Sequence, residues 1–307
     1  MNNNQEIVQT KMTQIDKHKM LRTNSTKTGD IIVAALCVFL VVIYLAPFIN
    51  IISRSLSSPN ALVNNRVSFW PVEFTLDSYA YVLSDAAFSR SLIFTAIITV
   101  ICTVFSMFMT ILAAYPLTYD LKGGRVINIL IILTMYFSAG TIPNYILMKQ
   151  LNLLGNPLVL ILPGCLSVFN MIILRSFFWG IPESLRESAE LDGAGPVTVL
   201  INIYIPLSIP VLATLALFYA VGRWNGFSDA LMYLPDAKYH PIQLKLYQII
   251  NNRSSIEIAT LEGFTTPTAT EGLKAASVMF ATVPILVVYP WLQRYFITGV
   301  TIGAVKG

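Results

Sequence analysis

Charged side chains are scarce in this sequence. Only 12% of its 307 residues are charged and 55% are hydrophobic, whereas soluble domains carry about 25% charged residues. The few charges cluster between long uncharged blocks, which excludes an ordinary soluble protein. The alternation of polar and apolar residues that a membrane barrel needs is also absent. The sequence therefore predicts an all-α membrane protein, since helices satisfy their own backbone groups in lipid.

Reactive and metal-binding groups are equally few. The three cysteines lie in apolar blocks without metal-ligand spacing, which predicts neither a disulfide framework nor a metal site. Two histidines leave no HExxH pair, and the chain has no GxxxxGK[ST] loop to hold ATP phosphates. We expect no catalytic residues and no cofactor bound by this chain. The uncharged blocks also argue against a proton relay, so any transport energy must come from elsewhere.

Six uncharged blocks are long enough, or nearly so, to cross the hydrocarbon core. They predict membrane helices at about 31–52, 91–119, 126–148, 151–174, 205–223 and 275–293. The basic tail at 1–30 follows the positive-inside rule, which places it in the cytoplasm. A nucleic-acid-binding arm is the alternative, disfavoured because a span follows at once. With six spans in one membrane domain at 31–298, the C-terminal tail at 299–307 is cytoplasmic as well.

The segment at 182–206, called the elbow below, carries local signals for two short helices. Pro182 suits a helix start, and Gly193 can adopt the left-handed conformation that ends a helix. Pro196 can then open a second helix. Three glutamates favour the positive N-terminal half of the first helix: Glu183, Glu187 and Glu190. The pattern predicts a helix–turn–helix on the cytoplasmic face, although an amphipathic helix resting on lipid headgroups fits these signals equally well.

The elbow resembles the cytoplasmic motif of ABC importer permeases, which reads EAA, three residues, Gly, nine residues and IxLP. This chain has Glu187-Ser188-Ala189, Gly193 and then Ile203-Tyr204-Ile205-Pro206 at the same spacing. Ser188 and Ile205 are conservative departures from the motif. The match extends over about twenty residues between two predicted spans, which makes it specific.

Further stretches resemble the carbohydrate-uptake branch of that family. Residues 185–194 resemble its ELxEAAxxDGA form, Trp224-Asn225 resembles its WN pair, and 299–307 resembles its glycine-rich tail. The stretch at 57–76 looks like permeases for complex oligosaccharides. The architecture is similar to that of the smaller permease subunit of the maltose importer.

This resemblance implies a type I ABC importer permease fold and a prokaryotic plasma-membrane location. It implies that a coupling helix at about 183–200 docks in a cytosolic ATPase subunit. By carry-over, the docking residues are Glu187, Ser188, Ala189, Asp192 and Gly193. The tail residues Val305, Lys306 and Gly307 are expected to reach between two ATPase subunits, with a frayed terminus as the alternative.

The resemblance also implies partners and a mechanism. Two ATPase subunits would bind ATP and Mg, a second homologous permease would complete the pathway, and an extracytoplasmic solute-binding protein would deliver a carbohydrate. The chain would then import an oligosaccharide by alternating access. A non-sugar ABC permease, a secondary carrier or channel and a membrane enzyme remain alternatives, and no nucleic-acid partner is expected.

Sugars are bound by aromatic faces and by amide or hydroxyl groups. Candidates near the outer halves of the predicted spans are Tyr136, Asn144, Tyr145, Asn170, Tyr219, Trp224 and Asn225. Packing or interfacial anchoring is the alternative role of each. The predicted outer loop at 227–274 is expected to face the binding protein.

Overall fold

The computed structural model describes residues 27–119, 122–251 and 269–304. These residues form helices joined by turns, and an isolated antiparallel bridge joins Ser57 to Phe74. No strand occurs among the described residues, and the prediction of a helical chain is confirmed for them.

Two long apolar helices lie near the start of the chain. Helix α1 comprises Lys27–Ser55. The short helices α2 (Pro59–Val63) and α3 (Asp77–Ser84) follow, and then α4 comprises Ala86–Ala114. The carboxylate of Asp85 caps α4 by accepting a hydrogen bond from the Ala87 amide at 2.8 Å. Both long helices cover the predicted blocks at 31–52 and 91–119 with shifts of a few residues.

The third predicted block is not one continuous helix. A 3₁₀ turn at Pro116–Thr118 ends the α4 segment, and α5 (Gly124–Tyr136) and α6 (Thr141–Gln150) are then bent by 111° to one another. Gly140 lies between them with φ +89°, a conformation in which a right-handed helix cannot continue. The prediction of a single helix at 126–148 is therefore wrong.

The fourth predicted helix at 151–174 is also wrong in its limits. Positive φ values at Asn152 and Gly155 and a 3₁₀ turn at Pro157–Leu160 occupy its first half. Helix α7 comprises only Val168–Trp179. Its twelve residues span about 18 Å, less than the hydrocarbon core of about 30 Å. Turn residues divide this block, and a count of charges does not detect them.

The elbow and the helix after it agree with the sequence signals. Helix α8 comprises Glu183–Leu191, and α9 comprises Pro196–Leu207 with one π-helical turn at Leu200–Tyr204. Helix α10 (Ile209–Asn225) follows at an angle of 83°. A separate short helix thus precedes the apolar helix predicted at 205–223. The coupling helix predicted at about 183–200 is divided by a turn at 192–195.

The remaining described elements are α11 (Ser228–Tyr233), a 3₁₀ turn at Ala237–Tyr239, α12 (Ile242–Asn251) and α13 (Ala269–Ala304). Helix α13 includes the block predicted at 275–293. Among the described residues, length and composition allow two membrane-crossing helices, or four if each bent pair crosses as one. The six-span count and the cytoplasmic position of both ends stay predictions.

Helix α4 is the centre of the packing. It lies against α10 and α7, while α13 lies against α1, α3 and α10. The N-terminal half of α4 contributes Phe88 to one apolar cluster and Ile98 to another. Its C-terminal end contributes Ala114, with Tyr115 after it, to a third cluster, which also contains side chains of α7, α9 and α10. The elbow therefore packs against one end of the central helix.

Candidate functional site

The turn of the elbow is a Schellman motif. The Ala194 amide donates to the Ala189 carbonyl at 2.9 Å, and the Gly193 amide donates to the Glu190 carbonyl at 3.0 Å. This pair of bonds defines the motif and satisfies carbonyls that the helix end leaves free. Gly193 has φ +86°, as the motif requires. The left-handed glycine at the end of α8 is thus confirmed.

Helix α8 has an exposed face and a face turned toward the body. Glu187, Ser188 and Asp192 are exposed, and Leu191 is 89% exposed. Ala189 is half-buried and packs against the apolar cluster at the end of α4. Of the carried-over residues, Glu187, Ser188 and Asp192 are therefore open to a partner, whereas Ala189 contacts the chain's own core.

Arg186 lies on the inner face of α8, next to the exposed Glu187. Its side chain is 16% exposed and is paired with Glu183 and, at 3.8 Å, with Glu190. The guanidinium carbon lies 4.7 Å from the centre of the Tyr119 ring, within the range of a cation–π contact. This arginine connects α8 to the segment that follows α4.

Tyrosines join the two limbs of the elbow to the end of α4. The Tyr115 hydroxyl donates to the Pro196 carbonyl at 2.9 Å and lies 2.6 Å from the Tyr119 hydroxyl. The Tyr115 ring packs edge-on against Tyr204 and Phe178. This packing holds α9 and α7 against the same point of α4.

Sequence reasoning missed Arg186, Tyr115, Tyr119 and Tyr204 as members of the site. A partial signal was present, because Tyr115 and Tyr119 are four residues apart at the end of an apolar block. Aromatic residues at span ends have a ready explanation as interfacial anchors. Their contacts with residues 67 to 89 positions later are not visible in the sequence.

The pathway candidates do not meet in one place. Tyr219 accepts a hydrogen bond from the Ser167 amide at 3.0 Å and lies 2.7 Å from the Thr110 hydroxyl. Asn170 is buried in the first turn of α7, and its backbone N–H donates to the Ser167 hydroxyl at 3.3 Å. Tyr219 of α10 and Asn170 of α7 thus both bond to Ser167, the residue before α7.

The other candidates are spread over three places. Tyr145 stacks on Tyr233 with ring centres 6.0 Å apart, and Trp224 donates its indole N–H to the Ala281 carbonyl of α13 at 3.3 Å. Tyr136 is 73% exposed. Asn144 and Asn225 are exposed as well. Only the exposed members are open to a solute within this chain.

Arg223 forms a clamp at the end of α10. Its guanidinium contacts both carboxylate oxygens of Asp229, at 2.5 and 2.9 Å, and also donates to the Gly226 carbonyl at 3.2 Å. The arginine side chain is 10% exposed and the aspartate side chain 32%. This two-point pair fixes α11 and its preceding turn on α10.

An ion pair lies in the described part of the 227–274 loop. The Asp236 carboxylate accepts a hydrogen bond from the Lys238 amide at 3.0 Å and lies 3.1 Å from its ammonium group. The hydrogen bond from the Lys238 backbone N–H, and after it the hydrogen bond from the Lys238 ammonium group, lower the pKa of Asp236. This carboxylate is therefore a fixed negative charge on the loop near neutral pH.

The tail residues Val305, Lys306 and Gly307 lie outside the described residues. Within the described ranges, no three His, Cys, Asp or Glu side chains group closely enough to hold a metal ion.

Comparison with known proteins gives a consistent result. The family model described as "binding-protein-dependent transport system inner membrane component" matches residues 86–302. In Bacillus subtilis (strain 168), the "polygalacturonan/rhamnogalacturonan transport system permease protein YtcP" is 38% identical over 91% of this chain and 98% of its own. "Protein LplC" of the same strain is 41% identical over 86% of this chain and 90% of its own.

A solved structure agrees with these relatives. It is a bacterial ABC transporter involved in import of the acidic polysaccharide alginate, and its matching chain is 33% identical with a TM-score of 0.82. The match covers 89% of this chain and 98% of that one. From the match over well over half of its length and from these similarities, the chain belongs to the binding-protein-dependent transport system inner membrane components, the permeases of ABC importers.

Proposed function

We propose that this chain is the permease subunit of an ABC importer for an acidic oligosaccharide that contains uronic acids. The observation that carries the substrate class is the chemistry shared by two similar proteins. Polygalacturonan and alginate are both uronate polymers, and the proteins named for them match this chain over about nine-tenths of its length.

The driving force in this proposal comes from partner subunits. Two cytosolic ATPases bind ATP and Mg, a second permease completes the pathway, and a solute-binding protein delivers the oligosaccharide. ATP closes the ATPase pair, and the elbows transmit this motion so that the pathway reopens outward to receive the oligosaccharide. The exposed face of α8 supports this role, because its apolar Leu191 and acidic Glu187 have no cover within the described chain.

The elbow residues then divide into two roles. Glu187, Ser188 and Asp192 contact the ATPase from the exposed face, with Glu187 placed to pair with a basic group. Ala189 and Gly193 shape the elbow itself, since Ala189 packs on the core and Gly193 forms the turn. The tail residues Val305 to Gly307 are proposed to reach between the two ATPase subunits.

Docking is tested by reversing one charge. When the complex is purified by an affinity tag on this chain, Glu187→Lys should reduce the amount of ATPase subunit that co-purifies. Asp77→Lys makes the same change at an exposed carboxylate of α3, on the predicted outer side, and should leave the amount unchanged. Equal retention of the ATPase in both variants would contradict docking through Glu187.

Substrate class is tested by uptake. A strain without this chain should lose uptake of labelled trigalacturonate and keep uptake of a neutral trisaccharide of arabinose. Expression of this chain from a plasmid should restore the uptake of trigalacturonate. Loss of the neutral sugar alone would assign the chain to neutral oligosaccharides.

A further inference from the structure

Arg186 occupies an unusual position for a charged residue of an exposed helix. Its neighbours Glu187 and Ser188 face outward, but its own side chain is turned inward and is 16% exposed. Two carboxylates of the same helix, those of Glu183 and Glu190, flank the guanidinium group. A cation held in this way keeps its charge while one side of its plane remains available for an aromatic ring.

That ring belongs to another part of the chain. Tyr119 follows the 3₁₀ turn after α4, and its ring centre lies 4.7 Å from the Arg186 guanidinium carbon. The contact joins the exposed helix of the elbow to the end of the central helix. Dispersion and the ring quadrupole both favour it, the more so because the pair is largely withdrawn from water.

The hydroxyl groups of Tyr119 and Tyr115 and the Pro196 carbonyl form a chain of hydrogen bonds in which the direction of donation is fixed. The Pro196 carbonyl can only accept, so the single proton of the Tyr115 hydroxyl is donated to it. The Tyr119 hydroxyl must therefore donate to Tyr115, across 2.6 Å. Each hydroxyl proton has one defined acceptor, which fixes the orientation of both hydroxyl groups about their C–O bonds.

These contacts form a closed series between the elbow and the end of α4. The series runs from Arg186 on α8 to Tyr119, then to Tyr115, and then to Pro196 at the start of α9. The Schellman turn at Gly193 connects α9 back to α8. Because Tyr115 follows directly on α4, a displacement of α8 cannot occur without moving the end of α4 or breaking one of these contacts.

We infer that Arg186 is a positioning residue that makes the elbow and α4 move as one body when the ATPases close. The inference rests on the proposed function, since it assigns a task to Arg186 within ATP-driven coupling. The docking contacts lie on the opposite, exposed face of α8. Loss of Arg186 should therefore leave docking intact and separate the motion of α8 from that of α4.

The test measures whether two labelled points keep their distance. Spin labels are attached at Ser184→Cys, an exposed site on α8 outside the proposed docking residues, and at Val104→Cys, an exposed site about 16 Å along α4 from Tyr115. Cys37, Cys102 and Cys165 are first replaced by alanine. The distance distribution is recorded by pulsed electron resonance in the complete complex, without nucleotide and after trapping with ADP and vanadate.

In the parent complex the distance should stay constant on trapping. In Arg186→Ala the distribution should broaden, because loss of a cation–π contact raises the detached population about fivefold. Arg186→Lys keeps a cation over the ring and should restore most of the narrow distribution. Arg125→Ala removes an exposed arginine of α5 and serves as the matched control.

Each other outcome has one meaning. A distribution in Arg186→Ala as narrow as in the parent overturns the inference, and so does a parent distance that changes on trapping. Loss of co-purifying ATPase in Arg186→Ala would make Arg186 a docking residue and would also overturn it. Absence of any ATPase from the parent complex would instead reject the proposed function.

Discussion

At the scale of single residues, Gly193 sets the direction in which the chain leaves α8. Its φ of +86° is needed for both hydrogen bonds of the Schellman turn. A Cβ atom there would meet nothing within 4 Å. Within the described chain, the effect of an alanine at this position therefore comes from the backbone conformation and not from a clash.

Gly193→Ala should lower the free energy of unfolding by about 1 kcal/mol, because a left-handed conformation strains every residue that has a Cβ. The thermal unfolding midpoint of the purified chain in detergent measures this change. Gly195→Ala is the matched control, since its site is equally open and its φ is −74°. Equal midpoints for the two variants would show that the turn does not require glycine.

The clamp at the end of α10 allows a second comparison between single residues. Arg223→Ala should lower the free energy of unfolding by about 3 kcal/mol, because it leaves the largely buried Asp229 carboxylate without its partner. Arg66→Ala breaks a pair with Glu73 in which both side chains are at least half exposed, and should cost less than about 1 kcal/mol. Chemical unfolding in mixed micelles gives both values. Similar losses would mean that Arg223 contributes no more than an exposed ion pair.

At the scale of elements, helix limits were predictable only where hydropathy changes with them. The ends of α1 and α4 lie near charged or capping residues such as Arg54 and Asp85. The break between α5 and α6 lies inside an uncharged run, at Gly140. Hydropathy does not distinguish an apolar turn from an apolar helix, so the backbone preference of glycine has to be considered separately.

The elbow was predictable for the opposite reason. Its proline, glutamates and glycine act within one or two helical turns, so their meaning does not depend on distant residues. The contacts of Arg186 and Tyr115 do depend on distant residues, because they join positions that are 67 and 81 residues apart. The inward orientation of Ala189 was likewise invisible in the motif.

At the scale of the whole molecule, the arrangement of the chain in the membrane can be tested with the exposed sites. In a background in which the three native cysteines are alanine, Ser184→Cys on α8 should react with an impermeant maleimide only after the cells are opened. Lys238→Cys, in the predicted outer loop, should react in intact cells. Both sites are exposed in the chain, so a difference in reactivity reports the side of the membrane.

Labelling of Ser184→Cys in intact cells would place the elbow outside. It would contradict the positive-inside assignment and docking together. Labelling of both sites only after lysis would instead reject the six-span count, since an odd number of crossings must separate these two positions.

Helix α1 has a consequence for how the subunit is made. No residue of its most apolar stretch is buried within the described chain, although α13 lies against the helix. Lipid tails are as apolar as these side chains, so the exposed face of α1 is stable in the membrane without a companion subunit. We expect a copy of this chain made without its companions to keep α1 inserted, so that assembly with the other subunits can follow membrane insertion as a separate, later step.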